Sequence, residues 1–126
     1  MKTIEESLRP PTDAEVERSL ARFSTSAHRH YGERLRGLYL YGSRARGDHG
    51  RDSDVDVAVV LSDGHWRFWT EVRELSDLSY DLLIDEGVDV QALPIRASEW
   101  EDPDRHHNPS FVRSIREDAR PLPLPS

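Results

Sequence analysis

Cysteine is absent from all 126 residues, so disulfides and thiolate metal sites are excluded, and any metal must be held by carboxylates, histidines or ligand phosphates. That donor set favours magnesium or manganese over zinc. Long apolar runs are missing too: Met1 to Pro11 holds nothing like the hydrophobic part of a signal peptide, and no stretch is long enough to span a bilayer. The expectation is a cytoplasmic protein without a membrane role. Positive charge is in deficit, with 17 Lys and Arg against 24 Asp and Glu and a formal charge of −7. Such a surface repels phosphate backbones, so direct broad nucleic-acid binding is not expected, and a basic protein partner is easier to accommodate.

What remains is the composition of a small folded protein. Ten aromatics and an apolar fraction of 36% against 33% charged residues argue against a disordered segment. The length suits one domain over residues 1–126 with one modest core. No internal repeat is present.

The pattern predicts alternating helices and strands. Thr12 and Glu15 have capping-box spacing, and Val16, Leu20, Phe23, Ala27 and Tyr31 recur every three or four residues, which predicts a helix from about Asp13 to Tyr31. Leu38 to Tyr41 is a short β-prone run ending at Gly42, and Val55 to Leu61 is a second strand, alternating at first and then continuously apolar. A helix between about His65 and Glu86 ends at Gly87, with Ser76, Asp77 and Ser79 as candidate interruptions. Val88 to Ile95, containing Asp89, is a third strand closed near Pro94. Ser98 to Asn108 reads as turn, Asn108 and Pro109 as the cap and first turn of a last short helix, and the Pro/Leu tail 121–126 as an extended strap or a disordered end. The fold class is α/β, a small mixed β-sheet with helices packed mainly on one face and the carboxylates gathered at the other.

The chemistry concentrates between residues 42 and 56. Asp54 and Asp56 are two apart at the start of an apolar strand, so both side chains leave one face with α-carbons roughly 6.6 Å apart. Two carboxylates that close repel unless a cation lies between them. If the strand carrying Asp89 is a neighbour, a third carboxylate joins the pair. Gly42 and Ser43 end the preceding strand, where glycine lets a phosphate approach the backbone and the serine hydroxyl donates to its oxygens. Arg44 and Arg46 follow; Arg46 is the better placed to balance phosphate charge if a helical turn opens after Ser43, while Arg44 divides evenly between phosphate contact and a solvated surface position. Metal-assisted phosphoryl or nucleotidyl transfer is the chemistry that uses such a set.

Gly42-Ser43, ten residues, then Asp54-Val55-Asp56 resembles the active-site pattern of the DNA polymerase beta-like nucleotidyltransferase superfamily. The wording Gly42-Ser43-Arg44-Ala45-Arg46-Gly47 and Ser53-Asp54-Val55-Asp56 is similar to its minimal, single-domain branch, and the element order matches from about Asp13 to Ile95. The resemblance implies that Ser43 binds the terminal phosphates of ATP, that Asp54 and Asp56 hold Mg2+ or Mn2+, and that Asp89 is the third carboxylate beside the acceptor. Members of this branch are commonly encoded beside HEPN-domain proteins, and some are antitoxins that attach AMP to a tyrosine of the paired ribonuclease toxin. An ending of Asp118-Ala119-Arg120 before the Pro/Leu tail departs from the more usual glycine-containing one. Two other readings stay open: an antitoxin that neutralises by binding alone, and a nucleotidyltransferase acting on a small molecule such as an antibiotic.

Other groups are expected to be structural. His28 with His30 and His106 with His107 lack the i, i+4 spacing of a helical zinc site and read as surface histidines. Trp66, Phe68 and Trp69 read as core, and Tyr39 and Tyr41 as half-buried strand tyrosines.

Overall fold

The structure, a computed structural model, describes residues 3–5 and 9–123. Helix α1 (Asp13–Tyr31) begins at the capping box: the Thr12 hydroxyl accepts from the Glu15 amide at 3.2 Å and the Glu15 carboxylate accepts from the Thr12 amide at 3.0 Å. A 3₁₀ turn (Gly32–Arg34) leads into β1 (Leu35–Tyr41), a single helical turn α2 (Ser43–Arg46), β2 (Val55–Leu61) and the long α3 (Phe68–Glu86). Strand β3 (Val90–Arg96), short helix α4 (Ala97–Glu101), a second 3₁₀ turn (Pro103–Arg105), α5 (Pro109–Asp118) and the two-residue β4 (Arg120–Pro121) complete the order.

The four strands lie in the order β3-β2-β1-β4. β1 runs antiparallel to both β2 and β4, whereas β2 and β3 are parallel, with α3 as their crossover. Alternation then divides the side chains. Leu38, Leu40, Val55, Val57, Val59 and Leu61 face the larger core, closed by Val16, Leu20, Phe23 and Ala27 of α1 and by Leu75 and Leu82 of α3. On the opposite face Ala58 and Ile95 meet Ile115 of α5, with Tyr39, Tyr41, Leu93 and Trp100 around them. Among the described residues, the two long helices thus cover one face and short helices border the other.

Several expectations are refined. β1 starts at Leu35, earlier than the apolar run, because Leu35 and Gly37 still pair with Leu61 and Val60 across an irregularity. Ser76, Asp77 and Ser79 do not interrupt α3; Leu75 and Leu82 anchor it to the core through that stretch. β3 ends at Arg96, shortly after Pro94, and Pro94 is accommodated within it because on this edge strand its missing N–H costs no ladder bond. Ser98 to Asn108 holds two short helices. In the tail, β4 pairs with β1, Leu122 donates to the Leu38 carbonyl at 2.9 Å and is buried, and Ser24 bonds the Pro123 carbonyl; residues 124–126 lie outside the described residues. Among the described residues no helix is long and apolar enough to cross a membrane.

Candidate active site

Gly42 leaves β1 with φ of +76°, a conformation that favours glycine. Its carbonyl accepts from the amides of Ala45 and Arg46, both at 3.1 Å, so the chain turns at once into α2 with Ser43 first. A Cβ at position 42 would lie 2.8 Å from Asp56 Oδ2. Glycine is therefore required twice, by the backbone angle and by the carboxylate packed against it.

Asp56 pairs with Tyr41 across β1 and with Gln91 across β3. It is half-buried, and burial together with the charge of nearby Asp54 pushes its carboxyl above the ordinary range. The Tyr41 hydroxyl is pushed up to about 12, first by burial and then by the Asp56 charge, so it remains protonated. Asp54 is exposed, one residue before the first β2–β3 pair, Val55 with Val90, and Asp89 is its counterpart on the other chain segment. The Asp89 carbonyl accepts from the Val55 amide at 3.2 Å, which ties the two strand starts together. By alternation Asp54, Asp56, Asp89 and Gln91 share the face opposite the two long helices. Gln91 Nε2 donates to Asp89 Oδ1 at 2.7 Å.

The loop between Ser43 and Asp54 is held from beneath by Arg44. Its side chain is buried, donating from Nε to the Ser53 carbonyl and from Nη2 to the Arg51 carbonyl, both at 3.1 Å, with Asp13 at 3.6 Å. Arg44 is thus no solvated surface arginine. Nothing in the local sequence marks it, because its partners are backbone carbonyls that only the loop path brings within reach. Arg46 is on the exposed side, bonded to Asp48 at 3.1 Å and Asp118 at 2.8 Å, so a phosphate would compete with two carboxylates for it.

The donor set fits a hard divalent cation: oxygen ligands only, with Asp56 raised by burial and then by the like charge of Asp54, both of which a cation would offset. Among the described residues no three His, Cys, Asp or Glu side chains converge into a cage. Magnesium is commonly held by one or two carboxylates plus substrate phosphates, which agrees with a site that the nucleotide itself completes. Farther along β3 a cleft of about 320 Å³ is lined by Phe68, Leu93, Pro94, His106, His107 and Phe111. The remaining aromatics divide: Trp66 packs against the core, but Phe68 and, more fully, Trp69 are exposed, so the core expectation fails for both. Tyr39 stacks on Trp100 with centroids 4.7 Å apart.

Gly-Ser turn, paired carboxylates and mixed sheet coincide with a family match: residues 20–122 fit the nucleotidyltransferase domain, and the chain belongs to that family. A Methanocaldococcus jannaschii protein named as a protein adenylyltransferase is 29% identical over 106 residues, covering 84% of this chain and 96% of that protein. A nucleotidyltransferase structure from Sulfolobus solfataricus superposes with a TM-score of 0.55 at 20% identity, over 83% of this chain and 80% of its own. A toxin–antitoxin structure with AMP-PNP gives a TM-score of 0.52 at 20% identity, over 86% of this chain and 73% of that one.

Proposed function

We propose that this chain is a metal-dependent protein adenylyltransferase and antitoxin, transferring AMP from ATP to a tyrosine of a paired HEPN-domain ribonuclease toxin in the cytoplasm. The observation that carries the transfer chemistry is the half-buried Asp56, raised by burial and then by the Asp54 charge, and packed against the Gly42 turn that presents Ser43. Protein as acceptor is supported by the name of the archaeal relative, and a toxin by the toxin–antitoxin structure with AMP-PNP.

In this reading Ser43 and the turn after Gly42 receive the β- and γ-phosphates, and Arg46 exchanges Asp48 or Asp118 for a phosphate oxygen. Asp54 and Asp56, with Asp89 beside them, would hold Mg2+ or Mn2+. When bound, the metal polarises the α-phosphate and neutralises pyrophosphate as it forms. The acceptor hydroxyl oxygen forms a bond to the α-phosphorus, the bond from that phosphorus to the bridging oxygen breaks, and pyrophosphate leaves. Asp89, exposed just before β3, takes the hydroxyl proton in this reading. In this reading the cleft beside the β3 edge gives the acceptor protein an apolar footing.

The test is intact-mass spectrometry of the neighbouring HEPN protein incubated with this chain, ATP and magnesium, beside an Asp54→Asn, Asp56→Asn control. Addition of one or more adenylyl groups with the unaltered chain alone is the expected result. Tight binding and neutralisation without any mass gain would transfer the assignment to a binding antitoxin, and modification of a free hydroxylated compound without protein would favour a small-molecule enzyme.

A further inference from the structure

Helix α3 has two apolar sides, and the fold covers one. Leu75 and Leu82 are buried in the larger core, whereas Trp69, Tyr80, Leu83 and Ile84 are 74%, 60%, 44% and 63% exposed. At the helical repeat these four fall in a stripe about 100° wide, together with the exposed Arg73 and Ser76. Large apolar side chains gathered on one helix face, rather than scattered singly, mark an interaction surface.

We propose that this face pairs with α3 of a second copy of the chain, antiparallel and related by a two-fold axis passing between Ser76 and Asp77. The argument is self-complementarity. About that axis, Trp69 of one copy meets Ile84 and Leu83 of the other, and Arg73 meets Tyr80; the small Ser76 lies at the crossing and lets the helices approach. Charge follows the same symmetry. The exposed cation Arg73 lies in the first half of the stripe, and the exposed anions Asp77 and Asp81 flank its second half on the side that faces Arg73 of the second copy. None of these three has an ion-pair partner among the described residues, whereas Glu74 and Asp85 on the same helix are matched within the chain by His30 and Arg22. A parallel pairing would set cation against cation. Because α3 covers the sheet face opposite Asp54 and Asp56, the pair leaves the candidate active site open on both copies.

Sedimentation of the full chain over a wide concentration range tests this. A reversible monomer–dimer equilibrium is expected. Trp69→Arg should weaken it by about 30-fold or more, as loss of a large aromatic anchor does. Arg73→Glu should weaken it less, with recovery when Asp77→Arg and Asp81→Arg are added. Because the chain has no cysteine, Ser76→Cys should yield a disulfide-linked dimer under mild oxidation, whereas Glu101→Cys should not. A chain monomeric throughout, a dimer indifferent to Trp69→Arg, or an α3 face covered only when another protein is added would each overturn the proposal. All the substituted positions are exposed, so circular dichroism melting should separate loss of pairing from loss of fold.

Discussion

At residue 42, glycine meets two demands that no other side chain satisfies together. A positive φ costs an L-residue roughly 1–2 kcal/mol, and a Cβ would displace the Asp56 carboxylate from 2.8 Å. Gly42→Ala is therefore expected to lower stability by about 1–3 kcal/mol and to reduce transfer by about 100-fold or more, since a displacement near 1 Å at a reacting group has that effect. Melting temperature and initial transfer rate measure the two separately. Arg44 shows the other side of single-residue reasoning. The type of residue says cation, but its geometry says brace, because its buried Nε and Nη2 donate to two carbonyls of the 47–53 loop. Arg46, two positions later, remains outside with its charge paired to carboxylates that a phosphate must displace.

Among the elements, α1 and α3 are clasped at one end by a polar cluster. Ser19 and Arg22 of α1 donate to Glu86 near the end of α3, and Arg22 also reaches Asp85. Partial burial alone would raise the Glu86 carboxyl, but hydrogen bonds from Ser19 and Arg22 outweigh it and hold the group below its ordinary value. The sign follows by linkage. A carboxylate lowered in the folded state contributes stability above its unfolded value and loses it as the pH falls through the folded one. Acid unfolding of the natural chain should therefore steepen below about pH 4.5, near the ordinary glutamate value, and Glu86→Gln should flatten that part of the curve. Unfolding free energies in denaturant at a series of pH values provide the check, and identical curves would remove the clasp from the account. The capping box at Thr12, by contrast, was legible from four residues of sequence, because both of its bonds are local.

For the whole molecule, the carboxylate site trades stability for chemistry. Asp56 is partly buried at the end of a β-sheet with the like charge of Asp54 beside it, and both raise its carboxyl, burial first. In metal-free buffer Asp56→Asn should raise the melting temperature while abolishing transfer, and excess magnesium with nucleotide should stabilise the unaltered chain but not this variant. A variant less stable than the parent would mean that Asp56 holds the fold together by contacts other than the turn. The formal charge of −7 acts at the same scale: it discourages phosphate backbones while leaving basic protein surfaces as compatible partners.

The sequence by itself determined what depends on near neighbours along the chain. The helix over Asp13–Tyr31, the strand over Val55–Leu61, the Asn108 cap and the shared face of Asp54 and Asp56 follow from periodicities and caps that span a few residues. The α/β class with helices mainly on one face followed as well, since long amphipathic helices and short strands alternate and have one way to share a core. Tertiary structure decided what depends on distant partners. It set β2 beside β3 so that Asp89 starts level with Asp54, turned Arg44 inward beneath its loop and brought Asp118 to Arg46. It also left Trp69 outside, although the helix pattern there is equally apolar on two sides and the sheet covers only one. Contacts of that kind join residues tens of positions apart, and no local repeat encodes them; they exist only once the sheet has chosen its order.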